Sequence, residues 1–215
     1  MALTSGTDKS RNGHNYTGIY YRYFAQIRHR KLKFMEIGVF TGASVKTWES
    51  YFPNAELHFI DVTDQYMFLS QTETDKQKLQ EFASNISGQF DIIIDDGGHK
   101  NNEIITSFEV LFPFLNENGG VYVIEDLHTA YWNGFGGTGI MGNGSFIDTR
   151  PLSGSSINFL KDLVDEVNFL GAHTGLGSTK HIPPDLVRTY LNMLDTLNQF
   201  IFTIVFALSG RSHRI

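Results

Sequence analysis

Short apolar runs that end in a glycine or an acid alternate along this 215-residue chain with segments of helical periodicity. Strands that alternate with helices in this way predict an α/β fold with a doubly wound, mostly parallel sheet. Ligands of such sheets bind beyond the carboxyl ends of the strands, beside the point where the strand order reverses. Four predicted strands end in chemically useful residues: Glu36 with Gly38, Asp61, Asp95 with Asp96, and Glu125 with Asp126. We therefore expect the functional residues to meet at one edge of the sheet.

The remaining elements follow from hydrophobic periodicity and from helix-breaking residues. Residues 131–156 are rich in Gly and Ser and lack periodicity, which is typical of a long functional loop. The pattern predicts helices at 45–52, 75–86, 102–115, 157–167 and 183–197, and further strands at 66–70 and 200–208.

Composition excludes several kinds of partner and of functional site. The formal net charge of −6 and the pI near 5.7 argue against nucleic acid as a partner. The absence of Cys excludes disulfides, thiolate nucleophiles and Cys-ligated metals. The longest apolar stretch, 200–208, is far shorter than the ~20 residues of a membrane span. We expect a single domain over 1–215 that works in the cytoplasm without contacting membranes.

The glycine turn after the first strand indicates a nucleotide-like ligand without a pyrophosphate. It reads Glu36-x-Gly38-x-x-x-Gly42, which departs from the G-x-G-x-x-G pattern of dinucleotide folds. Asp61 follows Gly42 by 19 positions, close to where a second-strand acid binds ribose hydroxyls. S-adenosylmethionine is the commonest nucleoside of this kind. Tight packing of strand against helix explains the same glycines equally well.

The acids of the later strands indicate a cation site. In Asp96-Gly-Gly-His99, two glycines leave room for a carboxylate and an imidazole to face one cavity. With Glu125 and Asp126 at the same edge, the carboxylates repel one another unless a cation neutralises them. Oxygen ligands favour Mg²⁺ over Ca²⁺ or Mn²⁺. The alternative is that these acids are turn or cap residues and that His99 lies on the surface.

A series of longer motifs makes the sequence familiar. In chain order they are Gly6-Thr-Asp-Lys9, Glu36-Ile-Gly-Val39, Tyr51-Phe-Pro-Asn-Ala55, Asp91-Ile-Ile-Ile-Asp-Asp-Gly-Gly-His99, Thr106-Ser-Phe-Glu109, Gly119-Gly-Val-Tyr-Val-Ile-Glu-Asp126 and Tyr131-Trp-Asn-Gly-Phe-Gly-Gly137. From about Gly6 to Leu170 the chain resembles the metal-dependent class I methyltransferases of natural-product biosynthesis, in particular the macrolide sugar O-methyltransferases. The resemblance implies a Rossmann-like, seven-stranded sheet and a homo-oligomer.

The resemblance also implies roles for individual residues. It places Mg²⁺ on Asp96, Glu125 and Asp126, and makes His99 the general base. It implies that S-adenosylmethionine contacts seven residues: Lys9, Glu36, Gly38, Gly42, Asp61, Gln71 and Asp95. Residues 1–30 would form a cap that contacts the cofactor, and the loop at 131–156 would border the active site.

Two departures from the family pattern stand out. Gly98 replaces the usual Ser beside His99, and only residues 62–65 connect Asp61 to the predicted third strand, where relatives carry a longer connection. Among the other histidines, we expect His14 to be a second site residue and His58 to be structural. His128 is expected either behind the acids or on the surface.

The implied reaction is transfer of a methyl group from a sulfonium to a hydroxyl of a small-molecule acceptor. The metal lowers the pKa of the hydroxyl and orients it, and His99 accepts the proton. Two alternatives are open: an enzyme of the same fold that catalyses a cyclisation or rearrangement, and a non-catalytic subunit that binds S-adenosylmethionine.

Overall fold

A computed structural model describes residues 2–61, 76–137, 153–175 and 205–206. Five parallel strands form one sheet with the order β2-β1-β3-β4-β5: β1 (Lys33–Ile37), β2 (Glu56–Ile60), β3 (Ile92–Asp95), β4 (Val121–Ile124) and β5 (Val205–Phe206). The strand order reverses between β1 and β3, which places the expected ligand site beyond these two strands.

Helices surround this sheet. They are α1 (Ala2–Ser5), α2 (Thr17–Phe24), α3 (Ala43–Tyr51), α4 (Lys76–Asn85), α5 (Asn101–Leu111) and α6 (Ser156–Gly175), with short 3₁₀ helices at Phe112–Phe114, Leu127–Tyr131 and Asn133–Phe135. In the described parts of the chain, no helix is both long and apolar enough to cross a membrane.

Alternate strand residues build two separate cores because successive side chains point to opposite faces of a sheet. On one face, Met35, Ile93 and Tyr122 pack in a cluster with residues of α4, α5 and α6. On the other, Phe34 and Ile94 pack against α2 and α3, where aromatic rings from Tyr20 to Phe52 contact one another. Helices thus cover both faces, and the prediction of a doubly wound, parallel α/β sheet is confirmed.

The predicted boundaries differ from the observed ones in understandable ways. The helix expected at 102–115 ends at Leu111, because Pro113 cannot continue it and a 3₁₀ turn follows. The helix expected at 157–167 is longer and reaches Gly175. The strand predicted at 66–70, the helix predicted at 183–197 and most of the loop predicted at 131–156 lie outside the described residues. The seven-strand count stays a prediction.

The turn after β1 is fixed by backbone contact with the loop after β3. Gly38 has φ +85°, a conformation that residues with a Cβ rarely adopt. A Cβ built at Gly38 would lie 2.0 Å from the carbonyl oxygen of Asp96. Gly42, the residue before α3, has φ +77° but no atom within 4 Å of its Cβ position. The requirement for glycine at Gly38 therefore arises from close packing of two loops.

This difference predicts unequal costs for two similar substitutions. Gly38→Ala combines backbone strain with a clash against main chain, so we expect a loss of about 3 kcal/mol or more of unfolding free energy. Gly42→Ala, the control, meets strain alone and should cost about 1–2 kcal/mol. Urea unfolding of both variants measures the difference, and equal losses would show that the Gly38–Asp96 contact contributes nothing.

Candidate active site

Two cavities lie beyond the carboxyl ends of β1, β3 and β4 and share part of their lining. The first, of about 640 Å³, is bounded by the glycine turn, residues 6–9 and the loop after β3. The second, of about 830 Å³, lies between residues 11–15 and the turn that carries His128, Trp132 and Phe135. Asp8, His99 and Asp126 contribute to both linings. A molecule in each cavity would meet its neighbour at these three side chains.

A buried lysine lies among three carboxylates beside the first cavity. The Nζ atom of Lys9 donates a hydrogen bond to Asp96, lies 3.0 Å from an oxygen of Glu125 and 3.6 Å from an oxygen of Glu36. Lys9 is 2% exposed, and Glu36 and Glu125 are 0% and 1% exposed. A charge removed from water to this degree is stable only when it is paired.

One ammonium group cannot neutralise three carboxylates that lie this close together, and the pKa values reflect this imbalance. Burial alone lowers the pKa of Lys9, but the charges of Glu125, Asp96 and Glu36 outweigh it and hold that pKa well above its usual range. Burial raises the pKa of Glu125 to about 8 against the lowering effect of Lys9. Burial also raises the pKa of Glu36 and of Asp96. The cluster therefore retains a proton at neutral pH.

Neutral side chains also donate hydrogen bonds to the carboxylates of this cluster. Glu36 accepts hydrogen bonds from the hydroxyl of Ser44 at 2.7 Å and the indole N–H of Trp48 at 3.0 Å, both on α3. Glu125 accepts a hydrogen bond from the hydroxyl of Tyr20 on α2. Residues of α2 and α3 thus hydrogen-bond both glutamates, neither of which lines the two described cavities.

Asp96, His99 and Asp126 form a possible metal-binding group. Each offers one ligand atom, and these atoms all lie within 4.8 Å of one another. The Nε2 atom of His99 lies 3.7 Å from Asp96 and 3.9 Å from Asp126. All three residues line the first cavity. The predicted ligand Glu125 is not part of this group, because Lys9 and Tyr20 engage it.

Asp126 is held between the two cavities by aromatic side chains. It accepts a hydrogen bond from the hydroxyl of Tyr16. Its Oδ1 atom lies 3.5 Å from Nδ1 of His14 and 3.9 Å from Nδ1 of His128. The expectation of a site histidine at His14 agrees with this distance, and of the two alternatives left open for His128, its distance favours a place beside the acids. His58, in contrast, pairs with Glu56 at 2.8 Å and packs beside Phe82 and Phe90, as expected of a structural residue.

The backbone at His99 and Asp126 is unusual and is secured by one threonine. Both residues lie in the left-handed region, with φ 60° and 53°. The hydroxyl of Thr129 lies within hydrogen-bonding distance of the carbonyl of His99, at 3.0 Å, and of the carbonyl of Asp126, at 2.8 Å. This contact fixes the loops after β3 and β4 relative to each other, and with them the two side chains.

Asp61 braces the glycine turn. Its Oδ2 atom accepts hydrogen bonds from the backbone N–H groups of Val39, at 2.6 Å, and Phe40, at 2.8 Å. Asp61 also lines the first cavity, so the carboxylate both shapes the turn and faces the space expected for a ribose.

The structure brings together most of the residues predicted from the sequence. Six of them line the first cavity: Lys9, Gly38, Asp61, Asp96, His99 and Asp126. Four lie near it without contributing to its lining: Glu36, Gly42, Asp95 and Glu125. Asp95 points to the opposite face, where the hydroxyl of Tyr122 lies 3.5 Å away. Gln71 lies outside the described residues.

Sequence reasoning missed Tyr16 and Tyr20, and it missed that Lys9 is the partner of the acids. The signal that could have found them is strand parity, the alternation of successive strand residues between the two faces of the sheet. Glu36, Asp96 and Glu125 each follow the residue that faces α4–α6, so they share the face covered by α2 and α3. Tyr20 occupies that face with an aromatic ring and a hydroxyl.

Comparison with known proteins identifies similar enzymes. The chain is 34% identical over 200 residues to L-olivosyl-oleandolide 3-O-methyltransferase of Streptomyces antibioticus, a match covering 87% of this chain and 50% of that protein. It is 37% identical over 167 residues to mycinamicin VI 2''-O-methyltransferase of Micromonospora griseorubida, covering 72% and 40%. MycE methyltransferase, solved with Mg, SAH and mycinamycin VI, superposes with TM-score 0.68 and 34% identity over 78% of this chain and 47% of that one. No protein-family profile matches the chain.

The fold is that of the class I methyltransferases. Within this class, the chain is a homologue of the macrolide and sugar O-methyltransferases, which confirms the resemblance seen in its motifs. The chain spans about half the length, or somewhat less, of the curated relatives it matches.

The raised pKa of Glu125 predicts how stability depends on pH in the absence of metal. Its pKa in the folded protein is about 8, whereas an unfolded Glu titrates near ~4.3. Between these two pH values, unfolding therefore releases a proton from Glu125, so the stability contributed by the protonated carboxyl is lost as the pH rises from about 4.3 to about 8. Glu125→Gln keeps the neutral form at every pH. In urea unfolding with chelator between pH 6 and 9, we expect wild-type stability to fall more steeply than that of Glu125→Gln.

The control is Glu109→Gln, which removes an exposed carboxylate paired with Lys76. Its pH profile should parallel that of the wild type. A Glu125→Gln profile that also runs parallel would show that Glu125 is ionised throughout this interval.

Proposed function

We propose that the protein is an S-adenosylmethionine-dependent O-methyltransferase that transfers a methyl group, with Mg²⁺, to a hydroxyl of a sugar-like natural product. The observation that carries this proposal is the pair of cavities that meet at His99 and Asp126. A methyl donor and an acceptor need separate compartments with one point of contact, because the reacting atoms must lie in line.

The first cavity suits the cofactor. Its volume of about 640 Å³ lies within the ~300–1,000 Å³ typical of small-molecule sites. The glycine turn, braced by Asp61, offers a close backbone approach at the switch point between β1 and β3. The similarity to MycE, which was solved with SAH, supports the same assignment.

The carboxylates at the junction suit a hard cation. Asp96 and Asp126 supply oxygen atoms within reach of one ion, and Glu125 follows directly on β4. When bound, Mg²⁺ lowers the pKa of a substrate hydroxyl and orients it. Tyr16 and Thr129 hold Asp126 in place for this role.

His99 is positioned to accept the proton. Its Nε2 atom lies 3.7 Å from Asp96 and 3.9 Å from Asp126, at the point where the two cavities meet. An imidazole titrates near neutral pH, which suits a general base. Because His99 lines both cavities, it meets an acceptor hydroxyl where the hydroxyl meets the donor.

The second cavity suits a sugar-like acceptor. Trp132 lies against His128 and Phe135, with ring centroids 4.8 Å and 5.8 Å away, so one wall is aromatic. Arg11 and Asn12 on the opposite segment supply hydrogen-bond donors. Apolar faces combined with a few polar groups are typical of small-molecule sites. The names of the relatives describe methylation on olivosyl and rhamnosyl compounds.

Several narrower predictions belong to this proposal. Residues 1–30 cap the cofactor, 131–156 form the active-site loop, and the protein works in the cytoplasm as a homo-oligomer. The complete set of expected cofactor contacts, Gln71 included, and the role of Glu125 as a metal ligand also remain predictions. A cyclisation and a non-catalytic role gain less support, since the relatives described above are named O-methyltransferases.

Calorimetric binding of S-adenosylhomocysteine tests the cofactor site first. Most of the residues that line the first cavity, including the glycine turn and Asp61, lie outside the metal-binding group, so we expect binding both with Mg²⁺ and with chelator. Asp61→Asn should weaken binding at least ~10-fold, because it weakens the bracing of the glycine turn. The control Asp91→Asn, in which the changed side chain accepts hydrogen bonds from Lys33 and Asn116 at the other end of the strands, should bind as wild type. No binding under either condition would refute the methyltransferase proposal.

His99→Ala tests the proposed base. We expect a loss of ~100-fold or more in methyl transfer to glycosylated macrolides, because the imidazole proposed to accept the proton is then missing. Binding of S-adenosylhomocysteine and of Mn²⁺ should persist, and the exposed His29→Ala provides the control. Unchanged turnover would contradict the assignment, whereas loss of Mn²⁺ binding would make His99 a metal ligand instead.

A further inference from the structure

We propose that Lys9 is an internal counter-ion of the metal site: its ammonium group holds Asp96 and Glu125 when no metal is bound and yields them to the metal, retaining Glu36. This inference rests on the proposed function, because it concerns the carboxylates assigned to Mg²⁺. It gives Lys9 a positioning role in addition to the cofactor contact implied by the resemblance.

The first support is the position of the ammonium group. Lys9 donates to Asp96 and lies 3.0 Å from Glu125, so it occupies the space between two of the three predicted metal ligands. A divalent cation bound by both carboxylates would approach this ammonium closely, and like charges at such a distance repel strongly in a buried site. The ammonium and the metal therefore compete for the same two side chains.

The second support is the third carboxylate. Glu36 lies 3.6 Å from the Lys9 ammonium and is fully buried. Ser44 and Trp48 fix Glu36 on the α3 side, and Glu36 is absent from the linings of both described cavities. A small movement of the lysine side chain towards Glu36 keeps the ammonium paired without exposing it to water.

The third support is the anchoring of the lysine backbone. The Lys9 amide donates to the hydroxyl of Thr7 at 3.4 Å, and its carbonyl accepts the amide of Thr17 at 3.2 Å. The Lys9 side chain therefore extends from a fixed backbone beside the cavity. It can move within the cluster of carboxylates but cannot leave it. The cluster keeps a cation in either state, which avoids a group of unpaired buried carboxylates.

Metal affinity in the absence of cofactor and acceptor tests this role. Lys9→Met removes the competing charge, so we expect Mn²⁺ to bind about tenfold or more tightly than to wild type, measured by electron paramagnetic resonance titration. Lys9→Arg retains the charge and should restore an affinity near that of wild type. Lys46→Met, on the exposed side of α3, is the matched control and should leave the affinity unchanged. General structural damage would lower the affinity, not raise it.

Thermal unfolding provides the second readout. Wild type should gain little from added Mg²⁺, because Lys9 already pairs the carboxylates, whereas Lys9→Met should be destabilised in chelator and strongly stabilised by Mg²⁺. The double variant Lys9→Met/Glu36→Gln removes one positive and one negative charge, and it replaces Lys9→Met in this experiment if the single variant does not fold. Should neither fold in chelator, refolding with millimolar Mg²⁺ is expected to recover them, and failure of this rescue would overturn the proposal.

Other outcomes separate this inference from the proposed function. Equal or weaker Mn²⁺ binding by folded Lys9→Met would overturn the counter-ion role while leaving the metal site intact. Absence of Mn²⁺ binding in wild type and variants alike would remove the metal site, and the counter-ion role with it. Binding of S-adenosylhomocysteine in the same samples would still report on the cofactor cavity.

Discussion

The close grouping of carboxylates at the carboxyl ends of three adjacent strands is the constraint on which the rest of the site depends. Parallel backbone hydrogen bonding continues past the strand ends. The backbone N–H of Asp96 donates to the carbonyl of Ile37, and the backbone N–H of Glu125 donates to the carbonyl of Asp95, both at 2.9 Å. This ladder brings acids from β1, β3 and β4 side by side. Without compensating charge, such a group would be very costly to bury. The N-terminal segment supplies Lys9 and the two tyrosine hydroxyls that make the arrangement stable.

This dependence links the start of the chain to the sheet edge. Residues 6–16 line both cavities, pair with acids of β3 and β4, and lead into α2, which covers one face of the sheet. The same segment thus contributes to stability, to cavity shape and to the electrostatics of the junction. The methyltransferase fold places the acids at the strand ends. The N-terminal segment adds the groups that pair with these acids and line the two cavities.

The fold and much of the site could be predicted from the sequence because both arise from local patterns. Alternating strands and helices predicted the parallel sheet, and acids after strands predicted the edge at which Asp61, Asp96 and Asp126 lie. Partners from distant parts of the chain were harder to predict. Lys9 meets Asp96 across 87 residues and Tyr20 meets Glu125 across 105, and no local pattern encodes such pairs. Strand parity would have grouped Glu36 with Glu125, although not with their shared lysine.

The left-handed backbone at His99 and Asp126 has a consequence for how this protein can change. A residue with a Cβ in this conformation costs on the order of 1 kcal/mol relative to Gly, so glycine at either position would relax the main chain. The same substitution would remove the imidazole or the carboxylate at the junction of the two cavities. Selection for a more stable fold and selection for these two side chains at the junction therefore act in opposite directions on the two positions.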